Sequence, residues 1–177
     1  MNTETRGDSA RLAELIKDIR VAMFTTFLGD GPKGGTHTRP MYTQTVDPKN
    51  FDGDLWFMTH KASVKIQELA GNPSVMVTYC DPGKEQYVVI QGEGRSEVNP
   101  AKAQELWNIH AKGWWPGGPD DPELKLICVT VHSAEYWDGP SQATYMLSLL
   151  KAVATGEKIQ LKGEHGKVGA DPARAGR

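Results

Sequence analysis

The chain has 177 residues, a length typical of one domain, and its 38% hydrophobic and 24% charged residues match a folded globular protein. Lysine and arginine total 20 against 22 aspartate and glutamate residues, which gives a formal net charge of -2. This near balance creates no overall positive field, so we expect neither nucleic acid nor a membrane surface as a partner.

The first half of the chain predicts one helix, three strands and a second, shorter helix. Apolar residues recur with helical spacing from Leu12 to Ile19 and predict an amphipathic helix at 9–20. A short helix is predicted at 63–70 because Gly71 follows it in the usual stop position. Between these helices, runs of β-branched and aromatic residues predict strands at 21–28, 36–46 and 55–59.

The second half continues the same pattern of strands and short helices. Asn99 and Pro100 are a helix cap and a first helical residue, and they predict a helix that runs to about Ala111. A loop at 113–122 follows and carries two tryptophans. The remaining predicted elements are strands at 74–80, 86–98 and 124–136 and a helix at 141–154.

Short strands at regular spacing, with turns between them and helices outside, predict a mainly β fold: a small barrel with α decoration. We expect a flexible N-terminus at 1–8, one domain at 9–155 and a mobile, glycine-rich and charged C-terminal tail at 156–177.

The cysteine and histidine content favours a metal-free protein of a reducing compartment. Cys80 and Cys128 form no CxxC pair, and the five histidines show no zinc-ligand spacing. The sequence contains no signal-peptide-like stretch and no apolar run near the roughly 18 residues that span a bilayer. We therefore expect no metal site, no membrane segment and a cytoplasmic location.

Two stretches that are far apart in the sequence contain the residue types that bind an anion. Pro40 interrupts a predicted strand, and because proline cannot donate to a ladder this predicts an edge with free backbone groups next to Arg39. At 59–65, a strand end leads into a helix start with hydroxyls and Lys65. Helix N-termini present free N–H groups and partial positive charge, so this stretch predicts a phosphate cradle. The alternative is that Ser63 is a plain helix cap and Lys65 a solvated surface charge.

The order of these segments resembles the general stress protein branch of the pyridoxamine 5′-phosphate oxidase-like flavoproteins. No single segment is specific to this family, but the series of segments over roughly residues 10–140 is specific to it. The segments are AMFTT at 22–26, TRPM at 38–41, LWFMT at 55–59, SVK at 63–65, NPSV at 72–75, GEG at 92–94, LW at 106–107, WWPGG at 114–118, DDP at 120–122 and EYWD at 135–138.

The resemblance implies an FMN-binding split β-barrel that forms a homodimer with the flavin at the subunit interface. Arg39 and Lys65 would bind the phosphate, and one of three tryptophans from the partner subunit would cover the ring; core or dimer packing is the alternative role of these tryptophans. The implied cofactor-binding residues are Arg39, Pro40, Met41, Phe57, Met58, Thr59, Ser63 and Lys65, with Trp107, Trp114 and Trp115 as the tryptophans.

The activity that the resemblance implies is that of an FMN-dependent oxidoreductase with a small-molecule electron donor or acceptor. It identifies no catalytic side chain, since the flavin carries the electrons. Val64 replaces a second cation of the oxidase, and the oxidase's C-terminal Arg-Leu-x-Pro substrate segment is absent, so we expect a different substrate. The alternatives are a non-catalytic flavin-binding or buffering stress protein, a split barrel that uses deazaflavin or haem, and a cofactor-free interaction module.

Overall fold

The computed structural model describes residues 3–29, 34–140, 142–155, 158 and 163–169, and these residues form seven strands and five helices. The strands are β1 (Val21–Phe27), β2 (Thr36–Tyr42), β3 (Asp54–His60), β4 (Ser74–Asp81), β5 (Gln86–Glu97), β6 (Leu124–Asp138) and β7 (Glu164–Gly169). The helices are α1 (Thr3–Ile16), α2 (Val64–Gly71), α3 (Pro100–Glu105), α4 (Ile109–Trp114) and α5 (Gln142–Thr155).

All seven strands belong to one antiparallel sheet with the order β2-β1-β4-β5-β6-β3. The long strand β6 pairs with β3 along its first half and with β7 along its second half. The end strands β2 and β3 approach each other at a single isolated bridge between Thr43 and Phe57, so the sheet curls without closing. This is the mainly β, split-barrel architecture with α decoration that the sequence predicts.

A register shift between β5 and β6 bends the sheet. Gln91 pairs with Ser133 and Gly92 pairs with Val131, so the extra residue, His132, belongs to β6. A Cβ atom at Gly92 would lie 2.3 Å from the carbonyl oxygen of Thr130, so the close approach of the two backbones requires glycine here.

The core fills the inside of the curved sheet and fixes the strands that border the split. Phe24 of β1 and Phe57 of β3 are fully buried and meet edge to face, with ring centroids 5.2 Å apart. Tyr79 is also fully buried, and its hydroxyl shares a 2.9 Å hydrogen bond with Thr43 Oγ1. Since Thr43 forms the bridge to β3, this contact anchors the point where β2 and β3 meet.

Two predicted helices differ from the observed ones. The apolar stripe of the first helix is buried as expected, but α1 begins at Thr3 and ends at Ile16, so the helix extends beyond the apolar pattern on its N-terminal side and ends before Ile19. The helix predicted at 100–111 is broken into α3 and α4. The side chain of Asn108 accepts hydrogen bonds from the backbone N–H groups of His110 and Ala111, so it caps a new helix where the sequence pattern suggests continuity.

Secondary structure extends into both stretches that the sequence predicts as mobile chain ends. α1 includes residues 3–8 of the predicted flexible N-terminus, and β7 lies in the predicted mobile tail, most of whose other residues lie outside the described ranges. Val168 of β7 is buried in the core opposite Ala134. This strand therefore makes an apolar contact that its glycine-rich sequence does not predict. Cys128 is buried, whereas Cys80 is exposed. Within the described ranges, no helix combines the length and apolar character needed to cross a membrane.

Candidate functional site

A cleft of about 610 Å³ opens where β2 and β3 separate beyond the bridge between Thr43 and Phe57. The last residues of each strand line it, and α4 contributes a further wall. Its apolar surface comes from Val21, Pro40, Met41, Met58, Trp114 and Trp115, and its polar groups come from Tyr42, Gln44, Thr59, His60, Lys65 and His110. A mostly apolar cleft with a few polar groups is typical of a small-molecule or cofactor site.

Lys65 brings a positive charge to the wall of the cleft. It lies in the first turn of α2, directly after the turn that follows β3, and its Nζ donates to Thr59 Oγ1 at 2.9 Å and to Ser63 Oγ at 2.5 Å. Ser63 occupies the N-cap position of α2, but its side chain makes no capping hydrogen bond, so it is not a plain helix cap. The two hydroxyls therefore orient the ammonium group.

Arg39 belongs to a second polar cluster, behind the cleft wall, whose centre is Glu68 of α2. The arginine donates from Nη1 to Thr26 Oγ1 at 2.7 Å and from Nη2 to Glu68 Oε2 at 2.6 Å. Thr26 also donates to Glu68 Oε2 at 2.6 Å, and His37 Nδ1 lies 2.5 Å from the other carboxylate oxygen. Burial opposes the charge of Glu68, but the hydrogen bonds from Thr26, His37 and Arg39 outweigh it and lower its pKa to about 2.

The two clusters act on each other electrostatically. Burial lowers the pKa of Lys65 and the nearby charge of Arg39 lowers it further, while Glu68 acts in the opposite direction. The stretches at 39–41 and 59–65 thus place two cations in one electrostatic neighbourhood, although Arg39 is neutralised by Glu68 and Lys65 has no ion pair in the described part of the chain.

A model of the family described as "Pyridoxamine 5′-phosphate oxidase like" matches residues 7–160. The chain belongs to this family. A curated relative, the pyridoxine/pyridoxamine 5′-phosphate oxidase of Christiangramia forsetii, is 35% identical over 72 residues, which are 40% of this chain and 33% of the relative. The chain therefore matches only a third of the length of that enzyme.

Solved structures confirm the fold expected of a pyridoxamine 5′-phosphate oxidase-like protein. A candidate general stress protein 26 from Jannaschia sp. CCS1 superimposes with a TM-score of 0.73 at 24% identity, covering 93% of this chain and 99% of that one. A general stress FMN/FAD binding protein from Xanthomonas citri has a TM-score of 0.62 at 27% identity, covering 75% of this chain and 89% of that one.

Most residues that the family resemblance identified lie at the cleft, and others lie beside it. Seven of them line it: Pro40, Met41, Met58, Thr59, Lys65, Trp114 and Trp115. Ser63 contacts the cleft-lining Lys65, whereas Arg39 binds Thr26 and Glu68, and none of these three residues lines the cleft. Phe57 packs in the core and Trp107 packs with Ala103 and Leu126, and neither residue lines the cleft. Trp114 and Trp115 border this chain's own cleft; in the sequence they were candidates to cover the flavin of a partner.

The sequence interpretation missed Glu68, Tyr42, Gln44 and His110. Glu68 lies on the polar face of a short helix, where a carboxylate is ordinary, and only the fold brings it under Arg39. Tyr42 and Gln44 follow the TRPM segment directly, so a longer window around the proline would have included them. His110 lies in α4, and the cap residue Asn108 is the local signal that could have located this helix.

Proposed function

We propose that this pyridoxamine 5′-phosphate oxidase-like protein binds FMN in the cleft and uses it as an oxidoreductase. The observation that carries the proposal is Lys65, whose ammonium group is held by Thr59 and Ser63 on the wall of an otherwise mainly apolar cleft. The Xanthomonas citri neighbour, described as binding FMN or FAD, adds support.

The residues present fit both ends of an FMN molecule. A phosphate group needs a cation and hydroxyl donors, which Lys65, Thr59 and Ser63 supply together. A flat tricyclic ring needs apolar walls, which Met41 and Met58 supply with the two tryptophans. A single cationic group at the cleft wall matches one phosphate, so we favour FMN over the diphosphate FAD.

When bound, FMN supplies reversible hydride and electron transfer, and the side chains bind and orient it. Lys65 would hold the phosphate, and Trp114 and Trp115 would keep water from the ring. For the two histidines at the wall, the hydrogen-bond partners determine which ring nitrogen carries the proton. His110 Nε2 accepts from Arg20, so its proton is on Nδ1, and His60 Nδ1 accepts from the Ala62 N–H, which places the His60 proton on Nε2 beside Glu123.

The binding step is tested by titrating the purified protein with FMN and with FAD while recording flavin absorption and fluorescence. We expect uptake of FMN and weaker uptake of FAD. No uptake of either flavin, and no flavin in the freshly purified protein, would refute the proposal.

The oxidoreductase step is tested by supplying NADH or NADPH and an electron acceptor to the FMN-loaded protein. Sustained oxidation of the nicotinamide supports catalysis. Stable FMN binding without turnover by either donor would instead support the alternative, a flavin-binding or buffering protein.

We also propose that two copies form a homodimer that completes the cleft. Val21 and Met23 of β1 are 52% and 43% exposed on one face of the sheet, and Trp114 is 80% exposed at the cleft. Val21 and Trp114 line the cleft, and Met23 lies opposite Pro40, which also lines it, so this apolar patch is continuous with the site. Light scattering tests the assembly, and a monomer at micromolar concentration would contradict it.

A further inference from the structure

A side cavity of about 250 Å³ adjoins the cleft. It lies where the end of α1, the segment after β2 and the start of α4 meet. The side cavity and the cleft share Tyr42, Gln44 and His110 as wall residues, so the two spaces are neighbours at these side chains.

Arg20 presents an oriented guanidinium group at this junction. Its Nη1 donates to the Tyr42 hydroxyl at 3.1 Å and to His110 Nε2 at 3.2 Å. These two contacts use both hydrogens of Nη1 and leave the three N–H donors of Nε and Nη2. The hydrogen bond with Tyr42 raises the pKa of Arg20, and the nearby charge of Asp18 raises it less; no carboxylate of the described chain forms an ion pair with Arg20.

Gln44 adds a second donor. Its side chain belongs to a residue only 5% exposed, and its Oε1 accepts from Asn108 Nδ2 at 2.9 Å. Among the residues that the structure describes, none accepts a hydrogen bond from Gln44 Nε2. Every fully buried side-chain nitrogen or oxygen in these residues has a hydrogen-bond partner. Because Gln44 Nε2 has none, it is not fully buried, and it reaches the surface of the cavities that Gln44 lines.

The remaining walls define what the donors can bind. Among the described residues, no aspartate or glutamate lines the side cavity; Lys17 lines it, but its Nζ pairs with Glu14 at 2.7 Å, so the unpaired positive charge at this cavity is that of Arg20. Ile16, Ile19 and Val46 give an apolar floor. The volume is below the roughly 300 Å³ at which pockets begin to hold whole ligands, so the side cavity suits one end of a molecule.

We propose that the side cavity binds the carboxylate of a small apolar acid. The free edge of the Arg20 guanidinium matches a carboxylate in two parallel hydrogen bonds, and Gln44 Nε2 donates a third. The acid's ring or chain lies on the apolar floor and extends toward the cleft; its role as a substrate there rests on the proposed FMN function, whereas the binding does not.

The test compares benzoate with benzamide, its neutral analogue, by isothermal titration calorimetry of the FMN-loaded protein. We expect benzoate to bind about tenfold more tightly or better, which is the effect of one charge-assisted contact. Arg20→Gln and Gln44→Glu should each reduce benzoate affinity at least about tenfold. Arg95→Gln is the matched control, since Arg95 pairs with Asp54 and Glu97 and lines neither cavity.

Equal binding of benzoate and benzamide would overturn the proposal, as would full benzoate affinity in both variants. Phenylphosphate identifies the anion: if it binds well and benzoate does not, the carboxylate assignment is wrong. The same titrations without FMN separate the two proposals. Benzoate binding to a protein that takes up no FMN would support the carboxylate site in the side cavity and refute the proposed FMN function.

Discussion

Lys65 and Arg39 should contribute differently to the protein, although the family resemblance gives them the same role. Lys65 lines the cleft, and within the described residues its ammonium group donates only to the hydroxyls of Thr59 and Ser63. Arg39 lies behind the wall and is bound to Glu68, whose side chain is 5% exposed. We therefore expect Lys65→Met to weaken FMN binding without weakening the fold, and Arg39→Ala to weaken the fold.

The expected magnitudes follow from these contacts. A charge-assisted hydrogen bond contributes about 1.5–3 kcal/mol, so Lys65→Met should raise the Kd for FMN by roughly 10- to 150-fold. Burial and the charge of Arg39 lower the pKa of Lys65, which means that the folded apoprotein disfavours this cation. Its removal should not lower the free energy of unfolding. Arg39→Ala leaves a buried carboxylate without its cation, a change that costs about 3–5 kcal/mol.

Flavin fluorescence titration gives the Kd, and urea denaturation of the FMN-free protein gives the free energy of unfolding. Lys61→Met is the matched control, because Lys61 is a half-exposed neighbour that pairs with Glu123 and does not line the cleft. Unchanged FMN affinity in Lys65→Met, or an equal loss in Lys61→Met, would show that the phosphate binds elsewhere. An Arg39→Ala protein as stable as the unsubstituted one would refute the structural role of Arg39.

Three further predictions concern pH and assembly. FMN affinity should fall as the pH rises through the lowered pKa of Lys65, because the ammonium group then loses its charge, and the fall should begin at a lower pH than for a lysine of ordinary pKa. In the same titration, Lys65→Arg should abolish this fall. Glu68→Gln should remove about 3 kcal/mol of stability at pH 7, measured by urea denaturation. Since the folded pKa of about 2 lies below the usual value of 4.5 for a glutamate, this contribution is complete above pH 4.5 and lost as the pH falls toward 2, so the variant should show a flatter acid profile. Met23→Lys should convert a dimer into monomers in light scattering, whereas a dimer of unchanged stability would place the interface on another face.

The sequence predicted those parts of the fold that local patterns determine. β1, β3 and β4 lie within one residue of their predicted bounds, because β-branched and aromatic runs ended by turn residues are local signals. The break between α3 and α4 was missed, since Asn108 caps a helix only when the chain turns there. β7 was missed because its pairing with β6 joins strands far apart in the sequence.

The candidate site shows the same division between local and long-range information. Thr59, Ser63 and Lys65 lie within seven residues, so one strand-to-helix junction brings them together and the sequence can reveal it. Glu68 reaches Arg39 only because α2 packs against the sheet. No residue near the TRPM segment indicates that Arg39 has a carboxylate partner.

This long-range pairing changes the chemistry that the residue types suggest. An isolated arginine and lysine would form a doubly charged phosphate site, but the ionised Glu68 cancels one of the two charges. The cleft then carries a net charge close to that of Lys65 alone on this side. Exchanging Glu68 for glutamine should therefore tighten FMN binding even as it destabilises the fold, because Arg39 regains an uncompensated charge near the phosphate. Weaker FMN binding by Glu68→Gln would instead mean that the carboxylate serves chiefly to hold Arg39 in position.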